Sequence, residues 1–173
     1  MPNMPKSIAA LTKPSWGQLP WNWYGLAAFL LILDQLTKHW AVAALTENEP
    51  VELTSFFNLT LRYNYGAAFS FLHDAGGWQR WFFGIIAGGV SIFIVAWLAR
   101  LKREQWLESL ALACILSGAL GNLYDRVVLG YVVDFIEVHY QQHYWPAFNL
   151  ADSAITIGAG LLILDMFKSK KSR

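Results

Sequence analysis

Trp81-Phe82-Phe83-Gly84-Ile85-Ile86-Ala87-Gly88-Gly89-Val90-Ser91-Ile92-Phe93-Ile94-Val95-Ala96-Trp97-Leu98-Ala99 runs for nineteen residues without a charge. About 20 helical residues cross a hydrocarbon core, so this stretch predicts a membrane helix, and the rest of the chain can be read outward from it. Of 173 residues, 55% are hydrophobic, 16% aromatic and only 14% charged. A soluble domain would carry roughly a quarter charged residues, so lipid is the expected solvent.

Three further segments pass the same test of length. Residues 24–45 are long enough but contain Asp34 and Lys38, residues 106–125 keep their charges near the ends, and residues 147–167 have Asp152 near one end and Asp165 near the other. With 80–99 they predict a mainly α, four-helix polytopic membrane protein. The expected organisation is a cytoplasmic leader over 1–21, one membrane-embedded domain over 22–167 and a basic cytoplasmic tail over 168–173. Ala41-Val42-Ala43 mimics a signal-peptide cleavage site, but Asp34 and Lys38 interrupt the preceding apolar run, so this helix is read as retained.

Basic residues set the orientation. Lys6, Lys13, Arg100, Lys102, Arg103, Lys168, Lys170, Lys171 and Arg173 fall on one side of the spans; Arg62, Arg80 and Arg126 fall on the other, and Lys38 is left inside. Both termini are therefore expected in the cytoplasm, with 46–80 and 126–147 outside. On this topology Asp34 lies ~15 Å into the first helix at 1.5 Å per residue. Asp34, Lys38, Asn122, Asp125, Arg126, Asp134, Asn149 and Asp152 then share the outer half of the bilayer. Ionisable groups are costly there, and function is the default reading of them.

The outer segment has another texture. Val51-Glu52-Leu53 and Phe57-Asn58-Leu59-Thr60-Leu61-Arg62-Tyr63 partly alternate and are rich in β-formers, which predicts short extracytoplasmic strands. They form either an interfacial connector or a small sheet whose free edge holds an extended peptide by strand addition. In Asn64-Tyr65-Gly66-Ala67-Ala68-Phe69 the small residues permit close approach of a bound chain.

Two carboxylates held close together share a proton, and so offer a general base and a general acid at once for amide hydrolysis. Asp125, Asp134 and Asp152 compete for the two places. Asp125 precedes Arg126, and adjacent helical residues do not face each other; bracing a helix end suits it better. Asp134 sits in Val132-Val133-Asp134-Phe135-Ile136 with nothing adjacent to neutralise it, and Asp152 follows Asn149 at helical spacing. Chemistry alone ranks Asp134 with Asp152 ahead of pairs using Asp125.

Five blocks together resemble the lipoprotein signal peptidases, or signal peptidase II. They are Asp34-Gln35-Leu36-Thr37-Lys38, Asn64-Tyr65-Gly66-Ala67-Ala68-Phe69, Gly118-Ala119-Leu120-Gly121-Asn122-Leu123-Tyr124-Asp125-Arg126, Val132-Val133-Asp134-Phe135 and Phe148-Asn149-Leu150-Ala151-Asp152, in the family's order. The resemblance covers residues 22–167 and implies an aspartyl endopeptidase of the bacterial inner membrane, its active site toward the periplasm. It would cleave diacylglyceryl-modified prolipoproteins just before the lipidated cysteine. The family's catalytic aspartates fall on Asp134 and Asp152. Asn122, Arg126 and Asn149 match polar positions around them, and Asn64 and Gly66 match the substrate-facing loop. Asp34 and Lys38 match a polar pair on the first helix, expected to orient or stabilise the site, and Asp125 is counted among the supporting residues. Implied partners are diacylglyceryl-prolipoprotein substrates, membrane lipid and cyclic peptide inhibitors of the globomycin type; no nucleic acid, cofactor or metal is expected. Ser117, where glycine is frequent, and the bulkier Tyr124 depart from the pattern.

Other constellations compete. His139-x-x-x-His143 has helical spacing for a metal pair, with Asp134 and Glu137 near in sequence, but lacks further ligands and reads better as an exposed aromatic-rich loop. Lys38 as the base of a Ser-Lys peptidase has no serine tied to it by spacing. Cys114 reads as a small buried apolar side chain, and the tryptophans and tyrosines as interfacial anchors. The main alternative of another class is a small proton-coupled transporter or channel subunit using the aspartates as a relay, for which no internal repeat is found. A non-enzymatic scaffold leaves the polar residues unexplained.

Overall fold

A computed structural model describes residues 20–66 and 77–171. The expected leader with Lys6 and Lys13, residues 67–69 of the small-residue loop and Arg173 lie outside the described residues, as do the side chains of Lys170 and Lys171.

Four helices carry the chain: α1 (Trp21–Ala44), α2 (Gln79–Leu98), α3 (Trp106–Val128) and α4 (Leu150–Lys171). Each holds a window long and apolar enough to cross a membrane. Their burial differs: 67% of the α3 window is buried, against 22% for α1 and for α2 and 11% for α4. α3 is therefore the central post, and the other three show lipid the apolar faces that water would reject.

The α3–α4 contact is close because small residues line it. A side-chain carbon on Gly118 would overlap the Ala151 carbonyl oxygen, and one on Gly158 would come within 2.6 Å of the Ala111 oxygen. In lipid, where apolar burial between helices offers little, such backbone proximity is what holds helices together. Ala27, Ile94, Leu98, Leu112, Ala113 and Leu116 form the apolar core where α1, α2 and α3 meet.

Strands β1 (Val51–Thr54), β2 (Phe57–Asn64), β3 (Val132–Tyr140) and β4 (His143–Tyr144) form one antiparallel sheet in that order. The first two were legible in the sequence. The aromatic-rich segment around His139 and His143, expected as a loop, is instead a hairpin, because β3 finds a partner far earlier in the chain, in β2: Asn64 opposes Val132 and Arg62 opposes Asp134. Since β1 and β2 connect α1 to α2 while β3 and β4 connect α3 to α4, their pairing caps one end of the bundle. α3 stops short of it at Gly130 (φ 93°), whose N–H joins that of Leu129 on the Asp125 carbonyl, a left-handed helix end that glycine adopts without strain.

Candidate active site

Three local devices bring the polar residues together. The first is a bulge. From Leu59 opposite Ile136 the register shifts to Arg62 opposite Asp134, so β2 carries one extra residue beside Asp134; such bulges re-aim neighbouring side chains. The second is a crossing of β3 by the approach to α4. The Phe148 carbonyl accepts from Phe135 (3.0 Å) and Ile136 (2.9 Å), and the Phe148 N–H returns to the Ile136 carbonyl (2.9 Å).

The third is the start of α4. The apolar run suggested a helix from 147, but the bridge to β3 holds Phe148 extended and the helix begins at Leu150. Asn149 is the residue that caps it. Its Oδ1 accepts the Asp152 N–H at 2.9 Å while Asp152 Oδ2 accepts the Asn149 N–H at 3.3 Å. This is the reciprocal geometry of a capping box, satisfying two backbone donors that a helix end leaves free.

The side chain of Asn149 is then aimed at β3. Its Nδ2 donates to Asp134 Oδ1 at 2.7 Å and lies 3.2 Å from the Val133 carbonyl and 3.3 Å from Asn122 Oδ1. Asn64 Nδ2 donates to the other Asp134 oxygen at 3.1 Å, and its own Oδ1 is held by the Gly66 N–H at 3.0 Å. Asn122 Nδ2 donates to Asp152 Oδ1 at 2.7 Å. Three carboxamides thus clamp Asp134 and Asp152, with Asn149 touching both. Arg126 spans Asn122 and the end of the stretch after β2, donating to the Asn122 carbonyl (3.2 Å) and the Gly66 carbonyl (2.9 Å).

Beside this pair lies a second polar cluster. Asp34, Lys38 and Asp125 are 1%, 2% and 1% exposed. Lys38 Nζ reaches Asp34 Oδ2 at 2.9 Å, Asp125 Oδ2 at 2.8 Å and Asn122 Oδ1 at 3.1 Å, which uses all three ammonium protons. The remaining carboxylate oxygens are met too: Asp34 Oδ1 by the Ala151 N–H at 2.9 Å, and Asp125 Oδ1 by Gln35 Nε2 at 2.9 Å. The Val133 N–H also lies 3.3 Å from Asp125 Oδ2. A buried cation needs this degree of compensation. Because an ammonium can only donate, it requires the oxygen of Asn122, and the amide nitrogen is left facing Asp152.

Every candidate of the sequence reading therefore falls in one connected network, Asp34, Asn64, Gly66, Lys38, Asn122, Asp125, Arg126, Asp134, Asn149 and Asp152 included. Asp125 engages Lys38, Gln35 and the Val133 N–H; its neighbour Arg126 turns instead to Asn122 and Gly66. His139 and His143 lie on opposite strands, the His139 ring stacked on Tyr144 at 4.9 Å, so the helical spacing of a metal pair does not arise. Among the described residues no group of three potential metal ligands occurs.

A cavity of about 660 Å³ opens on this network, and its lining includes the polar Asn64, Asn122, Arg126 and Asp152 and the apolar Trp145, Phe148, Ile155 and Ile157. Asp134, only 3% exposed, lies two residues from the lining residue Val132 on the same face of β3. Burial, reinforced by the charge of Asp152, pushes the Asp134 carboxyl up to about 7, against the opposing hydrogen bonds from Asn64 and Asn149 and the Lys38 charge.

The family model for signal peptidase (SPase) II matches residues 26–168. The chain belongs to the signal peptidase II family. Proteins named lipoprotein signal peptidase from Teredinibacter turnerae and Cellvibrio japonicus are similar to it, at 59% identity over 88% of this chain and 91% of that one, and at 58% over 85% and 86%. The protein of that name from Pseudomonas aeruginosa is 58% identical over 90% and 92%. Two solved structures described as bacterial membrane enzymes share the fold, with TM-scores of 0.80 and 0.75 at 32% and 33% identity; they cover 89% and 86% of this chain, and 92% and 94% of their own. Within this signal peptidase II fold the sequence reading left one residue unassigned. Gln35, between Asp34 and Lys38, bonds Asp125 and lies 3.2 Å from Asp34 Oδ2; its signal was a carboxamide adjoining Asp34 inside a membrane-spanning helix.

Proposed function

We propose that this chain is an aspartyl endopeptidase that removes signal peptides from diacylglyceryl-modified bacterial prolipoproteins, cleaving just before the lipidated cysteine. Family membership supports the reaction class. The observation that supports the catalytic type is the pair Asp134 and Asp152, held by amide donors at a cavity whose lining mixes polar and apolar side chains. We place the shared proton on Asp134, whose carboxyl burial and the charge of Asp152 push up to about 7, while Asp152 is held by hydrogen bonds from Asn122 and Asn149. Asp152 takes a proton from water as it attacks the scissile carbonyl; Asp134 gives its proton to the carbonyl oxygen. Collapse of the tetrahedral adduct sends a proton to the leaving amine, and the pair returns to its singly protonated state.

On this reading Asn64, Gly66 and Arg126 bind the extended substrate backbone, and Asn122 and Asn149 orient the two carboxylates. Asp34, Lys38 and Asp125 hold the elements that carry them. The apolar lining residues take the hydrocarbon of the lipidated substrate, and a cyclic peptide inhibitor of the globomycin type occupies the same groove. The excess of Lys and Arg at the α2–α3 turn and at the C-terminal end of α4 supports an orientation with both termini in the cytoplasm and the sheet and cavity on the periplasmic side of the inner membrane. The polar groups gather at one end of the bundle, which suits a surface-facing peptidase better than a relay across the membrane.

The test is cleavage of prolipoprotein in detergent micelles, read as a gel shift. Wild type cleaves the diacylglyceryl-modified substrate and spares the unmodified one, with or without chelator. Cleavage of both alike overturns the lipid requirement, and loss on chelation that metal restores overturns the metal-free mechanism.

A further inference from the structure

A second cavity, of about 530 Å³, lies at the opposite end of the bundle, where the first turn of α1 meets the turn between α2 and α3. Its wall includes Trp21, Asn22, Trp23, Lys102, Arg103 and Ser109. Thirteen residues separate Trp21 from Asp34 on the same helix, or ~20 Å at 1.5 Å per residue. No residue lines both cavities.

Lys102 and Arg103 are left uncompensated there. Among the described residues every ion pair belongs to Lys38. Of the nearby carboxylates, Glu108 is engaged by Gln105 Nε2 at 2.8 Å, and Glu104 is exposed beside Arg103. The turn that presents the cations is fixed before any ligand arrives. The Lys102 N–H donates to Gln105 Oε1 at 3.0 Å, and the Gln105 N–H returns to the Lys102 carbonyl at 3.0 Å. Little ordering entropy then remains to oppose binding at this point.

The surroundings suit a lipid rather than a soluble anion. Trp21 and Trp106 are 58% and 55% exposed at the ends of apolar spans, where indole rings mark the headgroup level. From the cavity α1 runs down into the hydrocarbon with Phe29 and Ile32 exposed on it, a surface for acyl chains. Paired cations beside the Asn22 amide match a phosphate diester, the Ser109 hydroxyl being donated to the Gln105 carbonyl at 2.9 Å, and basic pockets between membrane helices recur as sites for anionic headgroups. A zwitterionic headgroup would bring an ammonium against Lys102 and Arg103, with only Glu104 to meet it.

We propose that this cavity binds the phosphate headgroup of an anionic phospholipid, independently of the peptidase site. Native mass spectrometry of the full chain in detergent, titrated with phosphatidylglycerol or phosphatidylcholine, reads the preference directly. Wild type should retain phosphatidylglycerol at least tenfold more tightly. Each basic group near a membrane surface is worth about fivefold, so K102Q with R103Q should abolish the preference, and the charge-keeping swap K102R with R103K should restore it. Arg100→Gln removes the same charge from the same turn outside the cavity and should leave the preference intact. Equal retention of the two lipids by wild type, or equal loss in Arg100→Gln, overturns the site. Displacement of phosphatidylglycerol by inorganic phosphate at similar concentration reassigns it to a soluble anion. Prolipoprotein cleavage in phosphatidylcholine vesicles, measured on the same variants, should be unchanged and keeps this test separate from that of the peptidase reading.

Discussion

Asp34 with Asp125, and Asp134 with Asp152, are two pairs of aspartates in adjoining parts of one network, and their surroundings give them different work. The first pair has an ammonium between its members, at 2.9 and 2.8 Å, and both are closed from solvent. The second pair has only carboxamides and a backbone N–H as hydrogen-bond donors and one member on a cavity. A neutralising cation makes carboxylates into fasteners. Dipoles orient carboxylates without cancelling their repulsion, and the proton they must share is available for chemistry. Sequence position shows only part of this: Asp34 and Asp125 have Gln35 and Arg126 as neighbours while Asp134 and Asp152 have none that is charged, but the cation between the first two comes from Lys38, a turn away from one and on another helix from the other.

The largest expected effect is on the second pair. Asp134→Asn and Asp152→Asn should each lower prolipoprotein cleavage by about a thousandfold or more, within or beyond the range of general acid–base contributions, while circular dichroism shows the fold retained. Retained activity in either variant removes that residue from the chemistry. The first pair should fail differently. Lys38→Met leaves two buried carboxylates unpaired and should cost ~3–5 kcal/mol of stability, read as a loss of thermal unfolding temperature in detergent. Neutralising the whole cluster, with D34N and D125N added to K38M, should recover much of that loss. If the triple variant is as unstable as the single one, the cluster is not acting through charge.

Proton sharing gives a sharper contrast. Asp134 is raised from 3.8 to about 7, so cleavage should decline as pH rises through about 7 and the shared proton is lost. Linkage sets the sign for stability: between 3.8 and about 7 the unfolded chain has released this proton while the folded chain keeps it, so stability falls as pH rises across that window and is level above it. Asp134→Asn should remove that slope from the unfolding temperature. The Lys38 charge favours the Asp134 carboxylate, so in Lys38→Met the declining limb of activity should move to higher pH. A limb that stays in place shows that Lys38 does not bear on Asp134.

The helices were legible because their signal is local: a run of apolar residues of sufficient length, as at residues 81–99, needs no partner to be recognised. β3 was not, since Val132-Val133-Asp134-Phe135 is a strand only by virtue of β2, and the apolar residues around Asp134 fit a helix end as well. The start of α4 was placed three residues early because hydropathy does not show that Phe148 is bonded to Ile136. The members of the site were legible as costly polar residues in apolar surroundings. Their roles were legible in part, but the contacts that separate the two clusters were not, because they depend on Lys38 taking the Asn122 oxygen and on where the approach to α4 crosses β3.

The smallest effect should come from Asn64→Ala. Asn64 is one of two amide donors to Asp134, and Asn149 remains when it is removed. A hydrogen bond to a charged group is worth ~1.5–3 kcal/mol, but here it bears on Asp134 chiefly when that residue is ionised, and the proposed resting state keeps it protonated. The chemical step should therefore slow by no more than about tenfold, and the declining pH limb should rise, because a bond that favours the carboxylate has been lost. Asn64 also holds the Gly66 N–H, and Gly66 is in turn gripped by Arg126, so a further loss should appear in KM. A thousandfold fall in kcat with KM unchanged would place Asn64 beside the reacting atoms and would break the distinction between carboxamides that orient and carboxylates that react.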